Sequence, residues 1–196
     1  MLGLDAFRLF ANYKMALFFV FSMLLGAALQ LSNMYGDAFL SSFKPGSIVE
    51  KYSTIIYSIS QFSETAFILT IPFFLKRFGM KKVMLFALIA WVLRYGFFAF
   101  GMVPMGSAFI VLSCIVYGMA FDFFLISGSM YIETTTDSRL RSSAQGLFIM
   151  MTNGFGAYFG TIASSWIIDQ YFTFNDGTTN WHFTWMTFAM YCLMVA

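Results

Sequence analysis

Charge is what this sequence has least of. Only 10% of its 196 residues are Asp, Glu, Lys or Arg, against roughly a quarter in soluble globular domains. The formal net charge of +2 is too small to hold a polyanion, and the basic residues gather between apolar runs rather than along a stripe, so a nucleic-acid partner is excluded. A single histidine, His182, leaves no ordinary catalytic triad. The sequence has no HExxH, GxSxG or GxxxxGK[ST] pattern, so nothing supports an enzyme, a metal centre or a cofactor. The two cysteines, Cys114 and Cys192, lie inside separate apolar runs and read as small buried hydrophobes rather than a disulfide or metal ligands.

Apolar side chains are what it has most of: 60% of residues, with 27 phenylalanines. They form runs at about 15–35, 53–75, 83–101, 108–132, 144–168 and 181–196, mostly near the roughly 20 residues an α-helix needs to cross a bilayer. The expected fold class is all-α integral membrane, a six-transmembrane-helix bundle. The first run has no small-residue cleavage site and another span follows at once, so it is not a signal peptide. The sixth run reaches Ala196 still apolar, which suggests a truncated last span, and Met1 reads as an internal start or a fragment boundary.

Lys and Arg set the orientation. Arg8, Lys14, Lys76, Arg77, Lys81, Lys82, Arg139 and Arg141 fall on one side; Lys44 and Lys51 fall on the other, and the connections around Pro104 and Asn175 have none. By the positive-inside rule both termini are expected in the cytoplasm.

Three charged residues remain inside spans: Glu64, Arg94 and Asp122. At 1.5 Å per residue, Glu64 and Asp122 lie about 17 and 21 Å from the outer ends of their spans, and Arg94 about 16 Å from the inner end of its own. All three share one slab near the midplane, where a charge is costly and calls for a partner or a function. Tyr57, Gln61, Glu64 and Ile68 fall at i, i+4, i+7 and i+11, a polar and aromatic stripe on one helix face. Tyr117, Phe121 and Phe124 form a second stripe, with Asp122 turned about 100° from Phe121. Gln30 and Asn33 share a face of the first helix. Two readings stand for these residues: a binding site, or structural contacts, namely interhelical hydrogen bonds, aromatic packing and an ion pair among Glu64, Arg94 and Asp122. Gly156 and Gly160 suit close helix packing, Pro72 a bend, and Trp166, Trp181 and Trp185 interfacial anchoring.

The segments "GLDAF", "FSMLLGAALQLSNMYG", "SISQFSETAFILTIPFFLKRFGMKKVM", "AWVLRYGFFAFG", "IVYGMAFDFFLISGS" and "SSAQGLFIMMTNGFGAYFG" closely resemble the carboxyl-terminal half of bacterial nucleoside permeases. Those permeases form the nucleoside:proton symporter family of the major facilitator superfamily. "LKRFGMKK" also resembles that superfamily's cytoplasmic loop motif, without its usual acidic residue. The resemblance implies a twelve-helix transporter with its substrate between two six-helix halves, residues 1–196 being the second half. It implies proton-coupled nucleoside uptake across the bacterial inner membrane, with nucleoside, protons, membrane lipid and an amino-terminal six-helix half as partners. Substrate contacts would fall on Gln30, Asn33, Gln61, Glu64, Tyr117 and Phe121. Asp122 would serve proton coupling, and Arg94 would turn inward to a carboxylate. The alternatives are a sugar or oligosaccharide symporter of the same superfamily, or a non-transporting membrane fragment or scaffold.

Overall fold

A computed structural model of the chain describes residues 4–102 and 106–196. The uncharged connection around Pro104 and the reading of Met1 lie outside the described residues. The described chain is helical almost throughout. A short 3₁₀ segment, Leu4–Ala11, leads into α1 (Tyr13–Ser41), followed by a single turn α2 (Ile48–Lys51), α3 (Ser53–Phe78), α4 (Met80–Ala99) and α5 (Ser107–Thr135). A last helical stretch comprises α6 (Arg141–Ile149), a π-helical insert Met150–Gly156, α7 (Ala157–Ile167) and a second π-helical turn Ile168–Phe172, before α8 (Trp181–Val195). Helices α1, α3, α4 and α5 are long and apolar enough to cross a membrane, so the chain is a multi-pass membrane protein.

Local chemistry sets the ends. Asn12 caps α1 by accepting from the Lys14 N–H at 3.0 Å. Ser47 caps α2 by accepting from the Glu50 N–H at 3.2 Å. Between α3 and α4 the chain reverses at Gly79, whose φ of 77° is a conformation glycine adopts without Cβ strain. Lys76 and Arg77 in the last turn of α3 favour the negative end of its dipole. Pro72 sits within α3, which continues through it.

Contacts fix the arrangement. Ser63 donates to the Ile115 carbonyl and accepts from the Gly118 N–H at 3.3 Å, and Phe67 and Phe74 meet Phe123, so α3 and α5 run parallel. A Cβ on Gly118 would stand 2.5 Å from the Ser63 carbonyl carbon, and only glycine permits this approach of backbones. Small residues also seat the π insert and α7 on α1. Gly156 faces Met23 and Gly26, and Gly160 faces Ala27, the close packing expected of "GAYFG". Tyrosine hydroxyls cross-link helices through backbone carbonyls: Tyr57 to Ser32 at 3.0 Å, Tyr191 to Leu24 at 2.7 Å, and Tyr95 to Ala28. In lipid no water competes for these groups, so such bonds hold the bundle together.

The core where α1 and α4 end and α8 begins is aromatic. Phe39, Tyr95, Phe98 and Phe188 pack around Trp185, and Trp181 stacks on it. Trp181 and Trp185 are buried, so they are core residues and not interfacial anchors; Trp166, 58% exposed, suits the anchoring role. His182 Nδ1 lies 2.6 Å from the Ala99 carbonyl and closes the end of α4. One helix departs from the rest: the most apolar stretch of α3 is 17% buried, against 50% in α1 and α5. α3 leans chiefly on α5 and turns a wide face outward.

Candidate functional site

Arg94 organises the middle of the bundle. It is fully buried on α4 and reaches two neighbouring helices. Nε and Nη2 donate to the Ser32 hydroxyl on α1 at 3.0 and 2.7 Å, and Nη1 donates to the Ser113 carbonyl on α5 at 3.0 Å. The Ser113 hydroxyl donates back to the Arg94 carbonyl at 2.9 Å. The guanidinium carbon lies 4.1 Å from the Tyr117 ring centre and 5.0 Å from that of Phe98, within cation–π range. Among the described residues Arg94 forms no ion pair. The sequence places it with Glu64 and Asp122 in depth, but its side chain meets hydroxyl, carbonyl and ring faces instead.

Those contacts fix Tyr117. Its ring is covered by Arg94 on one face and met edge-on by Trp91 at 5.9 Å, and it lies parallel to Phe121, with an interplanar angle of 4° and centroids 6.0 Å apart. The four-residue spacing of Tyr117 and Phe121 on α5 produces this ladder, because i and i+4 stack on one helix face. The half-buried Glu64 carboxylate on α3 stands beside the Tyr117 hydroxyl. The carboxylate thus neighbours the aromatic ladder across the α3–α5 seam.

In front of the ladder is a cleft of ≈ 270 Å³ lined by Gln30 and Asn33 of α1, Tyr117 and Phe121 of α5, and Asn153 of the π insert, with Gly26, Leu29, Thr152 and Ala157 completing the wall. Four of the residues expected from sequence thus converge on one space: Gln30, Asn33, Tyr117 and Phe121. Glu64 joins them through Tyr117. Gln61 does not; it is exposed on the outward face of α3 and lies outside the cleft lining. Tyr57, at the head of the same stripe, is half-buried and tied to α1.

Asp122 is set apart. It is 4% exposed, and its Oδ2 has no hydrogen-bond partner among the described residues. It is not among the residues that line the cleft, in keeping with the 100° offset from Phe121, and Glu64 is the charge that acts on it. A buried carboxyl oxygen without a donor is costly, which distinguishes this group from a packing residue.

Asn153 is a lining residue that spacing alone does not pick out. The π insert adds a residue to the turn and rotates the helix beyond it, placing Asn153 at the cleft while Thr152 closes against the backbone of Gly26. Such bulges recur at functional sites. The signal available in sequence is an amide followed by glycine inside an apolar span, "MTNGFG". The cleft can accept a flat, polar molecule: amides supply donors and acceptors, the ladder supplies an aromatic edge, and a carboxylate stands behind the Tyr117 hydroxyl.

Over its whole length the chain is 52% identical to the nucleoside permease NupG of Escherichia coli (strain K12) and 54% identical to the xanthosine permease of the same organism, covering 48% of each. A crystal structure of the nucleoside transporter NupG superposes with a TM-score of 0.91 at 53% identity, over 98% of this chain and 49% of that one. The chain thus spans about half the length of the relatives it matches. The family model described as Nucleoside H+ symporter matches residues 1–196, and the chain belongs to that family.

Proposed function

We propose that residues 1–196 form the carboxyl-terminal six-helix half of a proton-coupled nucleoside transporter of the bacterial inner membrane, with both ends of the chain on the cytoplasmic side. The observation that carries the reading is the convergence of Gln30, Asn33, Tyr117, Phe121 and Asn153 on one open cleft at mid-bundle. These groups suit a nucleoside. Amides hydrogen-bond base edges and ribose hydroxyls, and aromatic side chains offer faces and edges to a purine or pyrimidine. The cleft opens at the surface of the bundle, so an amino-terminal half would supply the facing wall, covering Gln61 and the outward side of α3.

The mechanism is alternating access. Nucleoside enters from the periplasmic side against Gln30, Asn33 and the Tyr117–Phe121 ladder, with Glu64 of α3 behind Tyr117 and Gln61 on the face that the amino-terminal half would cover. A proton taken up by Asp122 removes a charge from low-dielectric surroundings, where an ionised carboxylate is costly, and the loaded halves rock to open inward. Arg94 keeps Tyr117 in place through the cycle. Transport of labelled uridine by this chain co-expressed with an amino-terminal half tests the reading. Uptake collapsed by a protonophore and competed by other nucleosides is the expected result. Competition by disaccharides and not by nucleosides would overturn it in favour of a sugar symporter.

A further inference from the structure

The cleft has two unlike ends. Gln30, Asn33 and Tyr117, with Glu64 beside the Tyr117 hydroxyl, make one of them polar. At the other, a recess of ≈ 20 Å³ extends it about one turn further along α1 and α5, to Leu25 and Phe124. The recess is walled by Leu25, Leu29, Trp91, Phe121 and Phe124, and Thr152 and Asn153 of the π insert belong to both spaces. That volume is about one water molecule, so the recess is an apolar floor for a flat ring and not a chamber that encloses it. Thr152 donates its hydroxyl to the Phe148 carbonyl at 2.9 Å. Asn153, by contrast, is exposed, and its amide makes no hydrogen bond among the described residues. The backbone on either side of it is clamped to α1: a Cβ on Gly26 would overlap the Thr152 carbonyl, and one on Gly156 would stand 2.5 Å from the Met23 carbonyl oxygen. The π insert therefore presents an unspent amide, from fixed backbone, at the edge of the apolar floor.

We propose that Asn153 is a specificity-determining residue that reads the polar edge of the base, with the ribose lying toward Gln30, Asn33 and Glu64. The chemistry of the two ends fixes this direction. Ribose presents hydroxyls all round, which suit a carboxylate and two amides, whereas a base has apolar faces for the floor and its donors and acceptors only at the edge. One amide both accepts and donates, and so pairs with the N3–H and a neighbouring carbonyl of uracil, as asparagine pairs with the edge of adenine in nucleic acids. Clamped backbone lowers the entropy lost in forming that pair. The inference rests on the nucleoside reading and adds to it the direction of the substrate in the cleft.

The test is competition against labelled uridine uptake by the chain co-expressed with an amino-terminal half, in wild type, Asn153→Leu and Asn153→Ser. The competitors are uridine, 3-methyluridine, which lacks the N3–H, and 3′-deoxyuridine, which lacks a ribose hydroxyl. Each preference is a ratio taken within one variant, so the amount of folded protein cancels. Wild type should prefer uridine to 3-methyluridine about tenfold, and in both variants that ratio should fall to about one as uridine itself binds about tenfold more weakly. The ratio of 3′-deoxyuridine to uridine should stay at its wild-type value. A 3-methyluridine ratio equal in all three proteins, or a 3′-deoxyuridine ratio that collapses in the variants, overturns the role of Asn153 and leaves the nucleoside reading standing. Uptake abolished by the mild Asn153→Ser change would make the residue structural and overturn the role as well. Wild-type uptake competed by disaccharides and not by nucleosides would overturn both readings together.

Discussion

Replacing Arg94 with lysine is expected to destabilise the bundle more than replacing it with methionine, although lysine preserves the charge. The guanidinium spans two acceptors on different helices, the Ser32 hydroxyl of α1 and the Ser113 carbonyl of α5, and lies flat on Tyr117. A lysine ammonium is a compact point donor and cannot hold both acceptors while covering the ring. One charge-assisted hydrogen bond is worth about 1.5–3 kcal/mol and a desolvated cation–π contact about 2 kcal/mol. Arg94→Lys should therefore cost about 3–5 kcal/mol with the charge still buried. Arg94→Met loses the same contacts and leaves a hydroxyl and a carbonyl short of a donor, at about 1–3 kcal/mol. It also removes a buried ion whose desolvation costs several kcal/mol. The methionine variant should consequently be the more stable by about 2–3 kcal/mol, or roughly 5–10 °C in melting temperature for a chain of this size. Thermal unfolding in detergent, followed by the fluorescence of the nearby Trp91 and Trp185, measures the difference. A lysine variant as stable as the methionine variant would refute the reasoning, and would mean that the charge itself, paired with a carboxylate, carries the stability.

Three further outcomes are expected. Glu64→Ala, in a transporter completed by an amino-terminal half, should abolish uridine binding with expression and folding largely retained; normal uptake would remove Glu64 from the site. Asp122→Asn should impair proton-driven accumulation more than nucleoside binding or exchange, because the side chain is buried outside the cleft; equal loss of all three would place Asp122 against substrate. Gly118→Ala should destabilise the α3–α5 seam by about 2–3 kcal/mol, since the new methyl meets backbone that cannot move aside; a melting temperature equal to wild type would show that the seam yields.

The sequence carried the helices plainly, because runs of apolar residues leave little choice of secondary structure in a bilayer. It also carried Gln30, Asn33, Tyr117 and Phe121, whose spacing places each pair on one helix face, and both pairs line the cleft. Spacing says nothing, however, about how each helix is rotated against its neighbours. Arg94 shares a depth with two carboxylates, yet α4 is turned so that its side chain meets Ser32, Ser113 and Tyr117. Gln61 shares a stripe with Glu64, yet the crossing of α3 over α5 carries only Glu64 to the ladder. Asn153 was hidden because a π insert interrupts the regular period from which faces are read. Trp181 and Trp185 have the composition of anchors, and only the packing of α8 against α1 and α4 makes them core.

The central proposal is that this chain supplies one wall of a two-walled site, and uridine uptake into vesicles containing the chain alone tests it most directly. The cleft is open, α3 turns most of its surface outward, and polar groups of the site facing lipid would cost several kcal/mol each. No accumulation is expected from the chain alone, and partial recovery is expected on co-expression with an amino-terminal half. Saturable, proton-dependent uptake by residues 1–196 alone would contradict the proposal and would point to two identical halves assembling around the cleft.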